Sequence, residues 1–398
     1  MAERNQKRER VEKYVLSLIR TSELSRDAGR VDRFVLMSLR CLSSLYWSVV
    51  QLRLFLYRKG ILRHHTLGCQ VISIGNLTVG GTGKTPVVEV FARRLQQEGR
   101  KVAILSRGYK KKEPPFMERL VDKMLLREKR RPPRVVSDGK TLLLDYRMAG
   151  DEPYMLASHL RDVVVLVDKD RVKGGRYAIN KAGCDTLILD DGFQYLGLKH
   201  RLDIVLVDCR NPFGNRHVLP RGILREPVKN IRRASFIFIT KCDGTSNAEL
   251  RAELRQLNPT AEMIECTHRA KCLENVFTSE RKDLDFLKGL SVTALSGIAA
   301  PDGFERELED RGAKVVRRDR FADHHRYSQQ ELIDIINESL AVGAGAIITT
   351  EKDAVRFPRV ERRDVPIYFL RVDIELLSGT EDFNDCISRI CFHRTSAG

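Results

Sequence analysis

The sequence predicts an α/β protein built on a mostly parallel sheet with helices on both faces. Three observations carry this: short apolar runs, helical stretches between them, and a glycine-rich loop after the first run. Gln70 to Leu77 reads as a strand, Lys84 to Glu98 as a helix, Lys101 to Ser106 and Asp162 to Val167 as strands. Asp170 to Ala182 reads as a helix, with Thr186 to Asp190, Asp203 to Val207 and Ser235 to Thr240 as further strands of Val, Ile, Leu and Phe. Near-continuous apolar strands separated by helices are covered on both faces, the pattern of a parallel sheet. After about residue 245 the alternation is less regular. Strands at Ser291 to Leu295, Lys314 to Arg317, Ala346 to Thr350 and Ile367 to Val372, with helices at Pro301 to Arg311 and Ser328 to Leu340, predict a smaller C-terminal α/β domain. The expected division is 1–65, 66–245 and 246–398.

Before the first strand, Phe34, Val35, Leu39, Leu42, Leu45, Tyr46, Val49, Leu52 and Leu56 recur at steps of three and four with no proline from Val31 to Leu62, which predicts a long amphipathic helix. Its arginines and its aromatics Tyr46, Trp47 and Tyr57 suit a membrane interface, and the same composition equally suits a helix packed on the domain core. Its most apolar window, Cys41 to Leu52 between Arg40 and Arg53, is shorter than the roughly 20 residues that span a bilayer. A spanning helix is therefore not expected.

Charge is unevenly spread. Residues 1–65 hold 14 Lys/Arg against 6 Asp/Glu and residues 107–140 hold 12 against 5, so these two stretches account for most of the net charge of +17. Proline pairs at both ends mark 110–134 as a basic excursion. Each such stretch is either a solvated basic face or a site for an anionic partner: nucleic acid, an acidic membrane or a phosphorylated substrate. The nine cysteines form no CxxC pair, which argues against a disulfide framework or zinc ribbon and for a reducing compartment. Acidic residues Glu3, Glu9 and Glu12 argue against a secretory or transit peptide.

The loop Asn76-Leu-Thr-Val-Gly-Gly-Thr-Gly-Lys-Thr-Pro86 carries the strongest chemistry. Across Thr78, Val79, Gly80, Gly81, Thr82 and Gly83, backbone N–H groups can close around phosphate oxygens. Lys84 adds a charge, and Thr85 offers a hydroxyl to Mg2+. This is a P-loop NTPase-like arrangement for ATP, with Thr78 where the general pattern has glycine. Asp190 and Asp191 close a strand before Gly192, the place for a carboxylate that holds the metal or its water. A kinase acting on an alcohol also needs a proton acceptor, for which Asp151 and His324 are candidates. Arg171, Arg221 and Arg225, with Glu226, follow strands, where a doubly wound sheet keeps its ligand crevice, and could clamp phosphates.

Two rivals are weaker. Thr240-Lys-Cys-Asp243 imitates a guanine-binding signature, but Asp191-Gly192 lacks the spacing of a switch aspartate and its glycine. A nucleic-acid-binding protein would need arrayed aromatic or arginine groups, and one tryptophan and no recognisable module are present.

Together the motifs resemble the tetraacyldisaccharide 4'-kinases of lipid A biosynthesis. The matching blocks are Ile74 to Pro86, Leu105 to Tyr109, Gly150 to Pro153, Asp168 to Arg171, Asp190 to Gln194, Phe213 to Asn215, Leu219 to Pro227, Phe321 to His324 and Thr349 to Asp353. The resemblance implies transfer of the γ-phosphate of ATP, with Mg2+, to the 4'-hydroxyl of an acylated glucosamine disaccharide 1-phosphate. It implies a monomer docked peripherally at the cytoplasmic face of a bacterial inner membrane, with no nucleic-acid partner. It places Lys84 and Thr85 on the phosphates and metal and makes Asp151 the base with His324 as its partner. Asp190, Asp191, Arg171, Arg225 and Glu226 join the active site, the metal falling to Thr85, Asp190, Asp191 and Glu226. Tyr195 stands where the family usually has histidine, and the basic excursion is longer than usual.

Overall fold

The computed structural model describes residues 29–108, 131–298 and 300–391. Residues 1–28 and most of the expected basic excursion lie outside the described residues. The chain divides into two compact units, each drawn from separate stretches of sequence: residues 1–105, 170–267 and 376–398, and residues 106–169 and 268–375.

In the first unit, β1 (Gln70–Asn76) runs into α2 (Lys84–Gln97), which leads to β2 (Val102–Ser106). β5 (Thr186–Asp190) lies between β1 and β2, parallel to both. On the other side of β1 follow β6 (Leu202–Asp208), β7 (Phe236–Thr240) and the first half of β8 (Glu262–Asn275), all parallel. Every residue of β2, β5 and β7 is buried, as two covered faces require. The register pairs Ile74 with Asp190, so the strand-end carboxylates emerge beside the loop that follows β1. Phe91 of α2 packs edge-on against Phe238 of β7 and against Phe383 of α8 (Thr380–Cys391), the chain's last described helix.

The expected N-terminal helix is α1, Arg30–Arg58. It is tied to the first unit by Ser43 Oγ donating to the Val218 carbonyl at 2.8 Å, Tyr46 Oη to the Arg225 carbonyl at 3.0 Å and Gln51 Nε2 to Asn230 Oδ1 at 3.3 Å. Leu36 and Leu54 are buried beneath it, while Phe34 (75%), Leu45 (63%), Val49 and Leu52 (both 57%) are exposed. One expectation needs correction. At 29 residues the helix is, by length and composition alone, long and apolar enough to cross a bilayer, because the apolar character does not stop at the flanking arginines. Length does not exclude spanning; what ties the helix to the protein is its row of hydrogen bonds.

The second unit holds β3 (Arg134–Asp138) antiparallel to β4 (Val164–Val167), joined through α3 (Asp151–His159). It also holds β9 (Ser291–Ser296), α6 (Pro301–Asp310), β10 (Lys314–Arg320), α7 (Gln329–Ala341), β11 (Ala346–Thr350) and β12 (Ile367–Ser378). β10, β9, β11 and β12 pair in that order, all parallel. β10 alternates exposed and half-buried residues, and its Arg318 and Arg320 pair with Glu305 of α6, a charged finish suited to an edge strand. The first unit also holds α4 (Arg171–Ala182) and α5 (Ala248–Leu257).

Candidate active site

The loop after β1 has the form expected of a phosphate cradle. Gly80 and Gly83 have φ of 117° and 77°, which side chains rarely adopt, and Gly83 caps α2 so that its positive end opens on the loop. Thr78 fits for a local reason. It is bridged antiparallel to Leu224, with Val79 N donating to the Ile223 carbonyl at 2.7 Å and Arg225 N to the Leu77 carbonyl at 2.6 Å. Extended backbone welcomes a β-branched residue, so threonine costs nothing there. Asn76 Nδ2 closes the turn by donating to the Thr78 carbonyl at 2.8 Å. Thr85, in the first turn of α2, is buried.

Lys84 Nζ donates to Asn76 Oδ1 at 3.2 Å and lies 3.5 Å from Asp191 Oδ1. Arg225 Nη1 donates to both Asp191 oxygens at 2.7 Å. Burial alone would raise the Asp191 carboxyl, but Lys84 and then Arg225 overcome it and hold it below the usual carboxylate range. Asp191 sits at φ 56°, a strained turn that presents its side chain to both cations. Glu226 is buried, and its Oε2 accepts from Asn230 Nδ2 and Arg233 Nη2, each at 2.8 Å. Burial raises its carboxyl despite Arg233. Arg221, its side chain buried, keeps its backbone carbonyl on Asn215 Nδ2 at 3.0 Å.

Arg171 opens α4. Its backbone N donates to Tyr195 Oη at 3.1 Å, its guanidinium stacks 5.5 Å from the Tyr195 ring centroid, and Nη2 reaches the Asp190 carbonyl at 3.5 Å. Tyr195 Oη donates in turn to Asp170 Oδ1 at 3.3 Å, the carboxylate that caps α4. Tyrosine at this position therefore orders the α4 terminus that carries Arg171.

The second unit brings Asp151 and His324 together. His324 Nδ1 lies 2.9 Å from Asp151 Oδ2. A third residue, not singled out from the sequence, joins them: Arg356, 1% exposed, donates from Nε to Asp151 Oδ2 at 2.8 Å and from Nη1 to Asp353 Oδ1 at 3.2 Å. Its Nη2 is 3.2 Å from His324 Nδ1. A guanidinium only donates, so Nδ1 accepts from Arg356 or, when protonated, donates to Asp151. Burial would raise the Asp151 carboxyl, but the His324 hydrogen bond and Arg356 hold it low. Asp353 anchors the cluster: Oδ2 accepts from Gly297 N at 3.0 Å and Thr350 Oγ1 at 2.6 Å, and Oδ1 from Tyr327 Oη at 3.3 Å. A Cβ on Gly297 would stand 2.9 Å from Asp353 Oδ1, so only glycine fits. Its carbonyl accepts from His324 N, where φ is 64°. The sequence signal for Arg356 was its place one helical turn after Asp353.

Among the described residues no three His, Cys, Asp or Glu are grouped to hold a metal ion. A nucleotide-borne Mg2+ needs only one or two protein ligands, because phosphates and waters supply the rest.

A parallel sheet ending in a glycine loop, a lysine at a helix N-terminus and paired strand-end carboxylates define a P-loop phosphotransferase. The model of the family "Tetraacyldisaccharide-1-P 4'-kinase" matches residues 35–391. A tetraacyldisaccharide 4'-kinase of Halothermothrix orenii is 35% identical over 96% of this chain and 98% of the relative. That of Anaeromyxobacter dehalogenans strain 2CP-1 is 42% identical over 83% and 84%. The crystal structure of LpxK from Aquifex aeolicus in complex with ATP superposes with a TM-score of 0.69 at 31% identity, covering 90% of this chain and all of that one. The chain belongs to the tetraacyldisaccharide-1-phosphate 4'-kinase family, and it is a phosphotransferase with an alcohol acceptor in lipid A biosynthesis.

Proposed function

We propose that the chain transfers the γ-phosphate of ATP to the 4'-hydroxyl of a tetraacyl glucosamine disaccharide 1-phosphate, giving lipid IVA, with Asp151 as base. The observation that carries the base assignment is the Asp151, His324 and Arg356 cluster, in a family member whose phosphate loop is intact. The hydroxyl oxygen bonds to the γ-phosphorus as the bond to the β,γ-bridging oxygen breaks. ADP leaves, and the hydroxyl proton passes to Asp151. A carboxylate held at low pKa is a weak base, which suffices when a loose transition state keeps the O–H bond until late. His324, hydrogen-bonded to the same carboxylate, shares the proton.

The loop N–H groups from Thr78 to Thr85 and the Lys84 ammonium hold the β- and γ-phosphates. Arg171 and Arg225 are assigned to the charge on the transferring group. The buried Thr85 hydroxyl and the strand-end Asp190 carboxylate are hard oxygen donors that fit Mg2+. Bound there, the ion would offset charge on the phosphate oxygens. Asp191, held by Arg225, is assigned to fixing that arginine, and Glu226, held by Arg233, to fixing the backbone that follows it, rather than to the metal.

We further propose that the protein is a monomer that works peripherally on the cytoplasmic face of a bacterial inner membrane. The exposed face of α1 supports this, with Phe34, Leu45 and Leu52 toward solvent and Arg30, Arg33, Arg40, Arg53, Arg58 and Lys59 along the helix and its end. In this scheme 1–65 docks, 66–245 holds the nucleotide and 246–398 supplies His324. Labelled phosphate from γ-labelled ATP should appear in the acylated disaccharide. No transfer to it, with ATP hydrolysed or another acceptor labelled, would refute the assignment. Replacing Phe34, Leu45 and Leu52 by serine should release the protein from anionic vesicles in co-sedimentation. Unchanged partitioning would remove α1 from the membrane contact.

A further inference from the structure

The tetrapeptide Thr240-Lys-Cys-Asp243 at the end of β7 has no place in the chemistry above, yet two of its side chains reach the phosphate loop. Lys241 Nζ donates to the Gly81 carbonyl at 2.6 Å and to Asp208 Oδ2, at the end of β6, at 2.5 Å. Thr240 Oγ1, fully buried, donates to the next carbonyl of the loop, that of Thr82, at 2.9 Å. Lys241 takes φ 59° to do so, a left-handed conformation that costs a lysine energy and persists only where surroundings impose it.

We propose that Thr240 and Lys241 form a brace that sets the phosphate loop in its binding conformation before nucleotide arrives, which makes both positioning residues for ATP. In a trans peptide the C=O and the following N–H point in opposite directions. Drawing the Gly81 and Thr82 carbonyls onto the end of β7 therefore turns the N–H groups of Thr82 and Gly83 the other way. Consecutive N–H groups facing one side of a glycine loop are what an anion binds. Glycines at 80, 81 and 83 make this loop soft, so without the two donors the same peptides would sample other orientations and ATP would have to order them. Asp208 keeps the Lys241 ammonium in place and compensates its charge. The brace rests on the reading of residues 78–85 as the ATP site.

The test uses the full-length protein, a fluorescent ATP analogue for affinity, and steady-state kinetics with the acylated acceptor. Lys241→Met, which keeps length and loses the donor, is expected to weaken nucleotide binding about 10- to 100-fold, the range for losing one charged hydrogen bond. KM for ATP should rise alike, while KM for the acceptor and the nucleotide-free melting temperature stay put, a split that a general structural defect would not give. Thr240→Val, of equal shape, should lose affinity about 5-fold, as for one neutral hydrogen bond, and Thr240→Ser should restore it. That pair decides the matter should Lys241→Met fail to fold. Nucleotide affinity equal to wild type in Lys241→Met, or in Thr240→Val if the former is unfolded, overturns the brace. A wild-type protein that binds no ATP analogue would instead overturn the loop assignment beneath it.

Discussion

The phosphate loop and the Asp151 cluster are built on opposite plans. The loop is one continuous stretch whose working groups are backbone N–H, and its cations Lys84 and Arg225 keep some contact with solvent. The cluster draws single side chains from residues 151, 324, 353 and 356, and its centre is dry, with Arg356 1% and Asp353 0% exposed. Breaking a partly solvated ion pair leaves water to replace the partner, whereas breaking a buried one strands a charge. The first region should therefore lose ligand affinity when altered and the second should lose stability as well as turnover.

The sharpest way to break this contrast is to remove one arginine from each region. Arg356→Met is expected to cost about 3 to 5 kcal/mol of folding stability, because Asp353 is left buried and uncompensated. Arg225→Met, at a more exposed pair, should cost at most about 1 kcal/mol. Urea unfolding of both variants measures the difference, and similar midpoints would erase the distinction.

Next in size is catalysis. Asp151→Ala should lower kcat about 1,000-fold, within the span of a lost general base, with KM for ATP little changed. A kcat near wild type would remove Asp151 from the chemistry. Lys84→Ala should reduce kcat/KM for ATP about 100- to 1,000-fold, as for one lost electrostatic donor, and leave the nucleotide-free melting temperature intact. If it unfolds the protein instead, the loop is less independent of the fold than its geometry implies.

Tyr195→Phe gives a smaller effect, about 1 kcal/mol for the lost hydroxyl between Arg171 and Asp170, readable by urea unfolding. No change would mean that the α4 terminus is ordered without it.

The weakest handle is pH. The fold favours ionised Asp151 and Asp191, whose pKa values lie below the usual 3.8. Each therefore contributes stability that is complete above the ordinary carboxylate value and is lost as pH falls through the lowered one. Wild type should weaken more steeply below pH 4 than Asp151→Asn, when urea midpoints are compared across acid buffers. Parallel slopes would contradict the favoured ionisation of Asp151.

The same contrast explains what could be read from the sequence. A loop is local, so glycine, lysine and threonine at fixed steps declared it, and apolar runs declared the strands that hold it. Asp151 and His324 were legible through the family's motifs, while Arg356 was not. Its place one helical turn after Asp353 is a local cue, but that cue does not reveal a purpose set by residues more than 30 and 200 positions away. Lys241 was visible only as an imitation of a guanine signature, because its contact with Gly81 depends on β7 ending near the loop after β1. The extent of α1 was legible from its periodicity, but its apolar window was drawn too short because Arg40 and Arg53 were taken as boundaries, and a helix continues through arginine without difficulty.

One bond on α1 has a mechanical meaning. The Tyr46 hydroxyl grips the backbone of Arg225, the residue whose side chain holds Asp191 beside Lys84. The helix is thus fastened part-way along its length to the very residue that holds Asp191, so the segment before β1 and the floor of the phosphate loop share an anchor.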